Sequence, residues 1–478
     1  MTESTLVDPV SAGMRIDPEH PALISDSGRS MIFDELDTVV GTFAAGIEEI
    51  TEGSNVPVAV AHSDRFIAVQ LLLAAIRAGA IATPINPSVD IDTVAERLDR
   101  GDVEVLITDI EPFQSNSIET VPPSSLSEDV YIEGEDLSVD QPITQLFTSG
   151  STGEPKPIIH TAGNHLAASR GAIDRLDLDT EDRWFDPLGL HHMGGFAPVL
   201  RCFPEGITVV LSEETPPDDL LGAIDRTEST IASVVPTMVY RELEGDVDVP
   251  EHLRCLLVGG APLRESLYRR ARDSDLPVWA SYGLTETVGQ VATATPTERD
   301  NHPGTVGEPL RDTEVRILDN GGNEVTANTP GRIEIIGPTV SESVASATTQ
   351  SGAHLETNDI GQLDEAGRLW IFGRVDHAIH TGGETVHPHR IEEVFAEHPS
   401  IDDIAVIGMA DPEWGERVVA AIVSDASIDP AELKRWAGDR LRPPEVPKST
   451  VSVETIPRTV SGTVDRDTLR HLLEESGC

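Results

Sequence analysis

An alternating apolar segment, Ile143 to Phe147, runs directly into Thr148-Ser149-Gly150-Ser151-Thr152-Gly153 and leaves through Glu154-Pro155-Lys156. The alternation predicts a strand, and the stretch after it sets four hydroxyls and two glycines into six residues. Successive backbone N–H groups in a glycine-containing turn form a concave nest for phosphate oxygens; hydroxyls extend it, and a lysine at the exit adds a compact positive charge. A loop of this kind at the carboxyl end of a strand suits an α/β sheet, which binds ligands there. The spacing is not the Gly-x4-Gly-Lys-Ser/Thr of common nucleotidases, and no Gly-x-Gly-x-x-Gly follows a strand elsewhere.

The surrounding chain carries the same rhythm. Strands are expected at Val56 to Ala61, Val103 to Thr108, Ile207 to Ser212, Ile231 to Val235, Leu256 to Gly259 and Pro277 to Tyr282. A helix is expected over Asp64 to Gly79, capped by Ser63 or Asp64 and stopped by the glycine. Strands alternating with helices imply parallel sheets covered on both faces. After about residue 310 hairpins take over, at Thr313 to Leu318 with Asp319-Asn-Gly-Gly322 and at Gln362 to Asp364 with Arg368 to Phe372. From Asp376 a smaller unit carries strands at Ile404 to Gly408 and Val418 to Ser424 and helices near Asp429 to Leu441 and Asp465 to Glu475.

Charge decides which partners to exclude. Against 34 basic residues stand 83 acidic ones, and only Lys156, Lys434 and Lys448 are lysines. Such a surface repels nucleic acid and anionic lipid, and it suits concentrated cytoplasmic salt, where screening tames self-repulsion. Cys202, Cys255 and Cys478 are too scattered for a disulfide framework or a metal site, in keeping with a reducing cytosol. The acidic N-terminus lacks the apolar core of a signal peptide. The longest apolar segment, Phe66 to Ile85, is broken by Gln70 and Arg77 and reads as a buried helix followed by a strand, so no membrane span is expected.

Five further strings carry chemistry. His191-His192-Met-Gly-Gly leads to Arg201 on an otherwise apolar stretch. The pair lacks a third metal ligand at useful spacing; it is either a capped helix start with a solvated Arg201, or a substrate wall in which Arg201 awaits an anion. Gly259-Gly260-Ala261 ends a strand in small residues, as a resting place for a flat ligand or as a tight strand-to-helix turn. In Ser281-Tyr282-Gly283-Leu284-Thr285-Glu286-Thr287 a tyrosine can stack on a base, a threonine can donate to phosphate and a carboxylate can hold Mg²⁺. Asp359 is expected at a turn, where it either accepts from ribose hydroxyls or closes an Asx turn. Arg374 and Asp376 fall where a hinge would absorb backbone rotation.

In order and over nearly the whole chain, these strings resemble the motif set of the adenylate-forming superfamily, which includes acyl-CoA synthetases, luciferases and the adenylation domains of peptide synthetases. The resemblance implies a large α/β N-terminal domain of doubly wound sheets with a small β-barrel-like subdomain, residues 1–374. A small mobile α+β C-terminal domain, residues 375–478, would rotate about Asp376. It implies ATP, Mg²⁺ and CoA as cofactor and co-substrates. Thr148, Ser149, Gly150, Ser151, Thr152, Gly153 and Lys156 would hold the β,γ-phosphates, Tyr282 and Gly283 would lie at the adenine with Gly260 and Ala261, and Thr285 would touch the α-phosphate. Glu286 would bind Mg²⁺, Asp359 the ribose, and Arg374 the ribose or α-phosphate, while Gly382 and Gly383 would line the pantetheine tunnel. His192 would border the acyl pocket.

Within the superfamily, His192 to Arg201, Tyr282 to Thr293 and Asp411-Pro-Glu-Trp-Gly-Glu416 are most like the o-succinylbenzoate:CoA ligases of menaquinone synthesis, with Arg201 and Gln290 facing the substrate. Other aryl or fatty acid:CoA ligases share most of these strings. One departure stands out: the superfamily's Pro-Arg-Thr-x-Ser-Gly-Lys reads Pro457-Arg-Thr-Val-Ser-Gly-Thr463 here, with threonine in the place of the adenylation lysine. Arg458, Arg466 or Lys448 could substitute, or the protein could bind adenylate without catalysis. A small-molecule carboxylic acid, ATP and CoA are the expected partners, and a homo-oligomer remains open.

Overall fold

A computed structural model describes residues 5–475 apart from 54, 90, 111–117, 127–129, 150–154, 246, 350–351, 425–427 and 459–462. Its first sheet has six strands in the order Pro155–Thr161, Pro142–Ser149, Ile81–Pro84, Pro57–Ala61, Val105–Thr108, Glu119–Val121. All neighbours run parallel except the first pair. Ile81–Pro84 and Val105–Thr108 are buried at every residue, as strands covered on both faces must be. The helix Arg65–Arg77 covers them, its N-cap Asp64 accepting from the amides of Phe66 and Ile67. The charge that interrupts its apolar run is neutralised in place, because buried Arg77 is held 2.7 Å from both Asp8 and Asp37.

The second sheet has fourteen strands. Pro21–Ser25, Thr208–Leu211, Arg183–Asp186, Ile231–Val234, Cys255–Val258 and Val278–Leu284 form its parallel half. From Val278–Leu284 it continues antiparallel through Gly289–Ala294, Thr305–Pro309, Leu369–Arg374, Gly352–Leu363, Gly331–Gly337 and Glu314–Leu318. The hairpin-rich region expected as a barrel-like subdomain is thus an antiparallel extension of this sheet. Its turn at Asp319 forms, the carboxylate accepting from the amides of Gly321 and Asn323, but the long partner of Glu314–Leu318 is Gly331–Gly337.

A third, five-stranded sheet spans Ile379–Thr381, Glu384–Val386, Asp403–Asp411, Gly415–Val423 and Ser449–Ser452. Helices Pro388–Ala396 and Pro430–Gly438 close its core on Phe395, Ile404, Val418 and Leu433. Among the described residues no strand of it pairs with the other sheets. Arg264 reaches across, 2.6 Å from Asp403, which also receives Arg458 at 2.8 Å. Among the described residues no helix is long and apolar enough to cross a membrane.

Candidate active site

The hydroxyl-rich loop joins two antiparallel strands, with Thr148 opposite Lys156. Lys156 is exposed beside it. Gly150, Ser151, Thr152 and Gly153 lie outside the described residues, and Ser149 is placed only as the end of its strand.

The strand Val278–Leu284 brings the second motif alongside. At Gly283 a Cβ would lie 1.8 Å from the Gly289 carbonyl oxygen, so only glycine lets the chain fold back into Gly289–Ala294. The fold-back produces the short turn Thr285–Thr287. His160, on the outer strand of the hydroxyl-rich hairpin, lies with Nε2 2.7 Å from the Thr285 carbonyl oxygen. His160 thus ties the hairpin directly to the Thr285–Glu286 turn.

Asp359 meets Tyr282 of the strand Val278–Leu284, and here the structure corrects the expected turn. Asp359 lies within the long strand Gly352–Leu363, where Leu355, Thr357 and Asp359 are buried and Glu356 and Asn358 exposed. The period-two burial overrides the turn character of Asn358 and Gly361. Tyr282 donates its hydroxyl to Asp359 Oδ2 at 2.7 Å, which leaves the ring face, not the hydroxyl, to meet a base. Opposite Asp359 in register is Arg374, whose guanidinium forks onto Asp376 at 3.0 and 3.1 Å. Burial raises the carboxyls of Glu286 and Asp359 above their ordinary values; the like charge of Asp359 adds to the shift of Glu286 and that of Asp376 to the shift of Asp359, while Arg374 opposes both.

A desolvated carboxylate with a raised pKa suits a divalent cation, which would relieve its burial. Glu286 is one such carboxylate and would fit Mg²⁺. A single carboxylate with the remaining ligands from phosphates and water matches the way that ion is usually held.

Packed against Gly289–Ala294 is the helix Met193–Cys202, with His192 at its N-cap position and Arg201 in its last turn. His191 and His192 are in contact, with ring centroids 4.2 Å apart. Burial, then His192 and Arg97, push the His191 imidazole down to about 3, and burial lowers His192 although its edge reaches solvent. Arg201 is buried, which excludes its being solvated at a helix end. Its guanidinium lies 5.0 Å from the Trp184 ring, and its Nε has no hydrogen-bond partner. No carboxylate pairs with it among the described residues, and burial lowers its pKa to about 10. Gln290 is buried; its amide nitrogen donates to Thr293 at 3.0 Å, and its Oε1 is unpartnered. Gly260 and Ala261 follow the strand Cys255–Val258, which neighbours Val278–Leu284.

Gly382 and Gly383 form the turn between Ile379–Thr381 and Glu384–Val386. The Gly382 amide donates to the Trp414 carbonyl at 2.9 Å, and Lys448 Nζ lies 4.4 Å from the Trp414 ring. Of the cations that could replace the lysine lost at Thr463, Lys448 is thus placed on Trp414 and Arg458 on Asp403. Arg466 donates to the Val406 carbonyl at 2.7 Å and lies near enough to His377 and Asp376 to influence both charges. It is the one of the three beside the 375–377 segment. Sequence reasoning missed His160 and Trp184, whose partners are remote in the chain.

The AMP-binding enzyme family matches residues 12–343, and the C-terminal domain of AMP-binding enzymes matches residues 390–463. The chain belongs to this family. Among its relatives, the 2-succinylbenzoate–CoA ligase of Bacillus cereus (strain Q1) is 32% identical over 409 residues, 83% of this chain and 84% of that protein. That of Bacillus cytotoxicus is 32% identical over 441 residues, 89% and 90% of the two chains. The o-succinylbenzoate CoA synthetase of Bacillus subtilis, in complex with its acyl-adenylate intermediate, has a TM-score of 0.88 at 28% identity, covering 98% of this chain and 99% of that one. The same synthetase with ATP and magnesium ion gives 0.87 with 98% and 100% covered, and a double mutant bound to a product analogue gives 0.73 with 98% and 99% covered, both at 28% identity.

Proposed function

We infer that the protein is an AMP-forming carboxylate:CoA ligase whose acid is o-succinylbenzoate. The observation that carries the choice of acid is Arg201: a guanidinium buried without an anion is costly unless a ligand supplies one, and a planar carboxylate is its best bidentate match. A dicarboxylate can leave one carboxylate on Arg201 and offer the other to ATP. The unpartnered Gln290 Oε1 is a further polar group for the same ligand. The resemblance to the Bacillus ligases supports this reading.

The reaction runs in two steps. The free carboxylate attacks the α-phosphorus of ATP, forming the acyl-adenylate and releasing pyrophosphate; the CoA thiol then attacks the acyl carbon and AMP leaves. The protein's part in the first step is placement and charge stabilisation. Thr148, Lys156 and the loop between them hold the triphosphate tail, the Tyr282 ring and Asp359 secure the nucleoside, Thr285 and Arg374 reach the α-phosphate, and His192 borders the acyl group. Glu286 would hold Mg²⁺, which supplies charge neutralisation at the phosphates.

For the second step the unit after residue 374 turns about Asp376, bringing Gly382 and Gly383 to the pantetheine arm. The higher TM-scores to the adenylate-bound and ATP-bound relative than to the product-analogue form, at like coverage, support an adenylation-side arrangement here. Cytoplasmic location and adaptation to salt rest on composition alone; the Bacillus relatives do not bear the latter out. Pyrophosphate exchange across a panel of aryl and fatty acids tests the assignment. Exchange strongest with o-succinylbenzoate is expected, preference for monocarboxylates would refute the choice of acid, and no exchange with any acid would favour a non-catalytic adenylate binder marked by Thr463.

A further inference from the structure

We propose that His160 is a positioning residue for adenylation, holding the Thr285–Glu286 turn in place against the hydroxyl-rich hairpin; this rests on the roles given above to Thr285 and Glu286. The turn and the hairpin belong to different sheets, so no ladder of strand hydrogen bonds sets their separation. Side chains must set it.

His160 is fully buried. Its Nε2 lies 2.7 Å from the Thr285 carbonyl oxygen, and a carbonyl only accepts, so Nε2 carries the proton. In the neutral ring Nδ1 is then an acceptor, and it takes the hydroxyl hydrogen of Thr144 across 3.3 Å. Having given its one hydrogen, Thr144 accepts from His165 Nε2 at 2.8 Å. Both rings are neutral, since burial pushes His160 down to about 4 and His165 well below its ordinary value. The two rings meet edge to face at 5.6 Å. A single directed chain thus runs from His165 through Thr144 and His160 to Thr285, fixing both tautomers.

A second link lies one residue away. Ile159 donates its amide to Ser343 Oγ at 3.2 Å, its carbonyl accepts from the Ser341 hydroxyl, and the Ser341 amide donates to the Glu286 carbonyl at 2.9 Å. Two consecutive residues of the outer hairpin strand, Ile159 and His160, therefore hold two consecutive residues of the turn, Glu286 through Ser341 and Thr285 directly. A rigid link between the triphosphate grip and the groups at the α-phosphate matters because about 1 Å of misplacement can cost ~10²-fold in rate.

The test separates the half-reactions. His160→Gln places an amide nitrogen near the Nε2 position and keeps the donor to Thr285; His160→Asn reaches only the Nδ1 position and loses it. The Asn variant is expected to slow pyrophosphate exchange by ~30- to 100-fold with KM for ATP nearly unchanged. Thioester formation from supplied acyl-adenylate should stay within about twofold, and the Gln variant should retain exchange within about threefold. Should the Asn variant not fold, Thr144→Val, which frees the tautomer and leaves the ring in place, is expected to show the same selective loss. Equal impairment of Gln and Asn, or a parallel fall of both half-reactions with Tm, overturns the proposal. Glu286→Gln in parallel tells the two readings apart: if it leaves exchange intact, the role of the turn fails; if it abolishes exchange while His160→Asn is silent, the positioning role alone fails.

Discussion

Arg201→Met should make the ligand-free protein more stable and the enzyme worse. Burial takes the guanidinium from 12.5 to about 10, and at ~1.4 kcal/mol per pH unit that difference opposes folding with the charge in place by roughly 3 kcal/mol. The Trp184 ring at 5.0 Å returns some of it, up to about 2 kcal/mol for a desolvated cation–π contact. Replacing the side chain with an apolar one of similar length should therefore gain about 1 kcal/mol, a rise in Tm of roughly 2 °C for a chain of this size. Catalysis should move the other way. Truncating one partner of a buried, hydrogen-bonded charge pair costs about 2 to 5 kcal/mol, so kcat/KM for o-succinylbenzoate should fall roughly 30- to several thousand-fold. The assay uses that acid beside the two monocarboxylates made by deleting each carboxylate in turn. The analogue that still reacts identifies the activated carboxylate and should lose less than about threefold in the variant. A destabilised variant that loses all three acids equally would refute the reasoning, because Arg201 would then be a structural cation with a partner of its own.

Three more outcomes follow from the same structure. Thr463→Lys restores a charged donor and should speed pyrophosphate exchange, on the order of 10- to 100-fold; slower exchange would mean that Thr463 has an adapted role. Stability should fall on acidification from pH 6.5 toward 4. His160 and His191 are depressed in the fold to about 4 and about 3, so the unfolded chain binds their protons first and the stabilisation present above pH 6.5 is lost on the way down. For His160 the gap from 6.5 to about 4 is worth roughly 3 kcal/mol, and urea titrations of His160→Gln should show a flatter acid limb; an unchanged limb contradicts it. With a formal net charge of −49, Tm should rise steeply with added KCl through screening, and a Tm indifferent to KCl would remove the salt-adaptation reading.

How far the sequence disclosed this fold depended on burial. Val105 to Thr108 and Ile231 to Val234 are covered on both faces, so they are written as mostly apolar runs and were legible. Arg183–Asp186 is as buried at its centre but begins and ends on charged residues, and it was not among the expected strands. Pro155–Thr161 carries prolines at 155 and 157, which argue against a strand until it proves to be an edge, where the missing donors cost little. Arg201 was legible as a charge in an apolar stretch, whereas the Trp184 ring beneath it was not. Asp359 was singled out as a ligand candidate but set on the wrong local structure, because Asn358 and Gly361 have turn character in any context. The chain from His165 to Thr285 could not be foreseen, since Thr285 reaches the hairpin of Thr144 and His160 only when two sheets pack.

The most direct test is product analysis. The protein is incubated with ATP, CoA and o-succinylbenzoate, and the mixture is weighed by mass spectrometry. The account predicts o-succinylbenzoyl-CoA together with AMP and pyrophosphate, and an acyl-adenylate when CoA is left out. ADP and phosphate in place of AMP, or intact ATP beside unreacted acid, would contradict it.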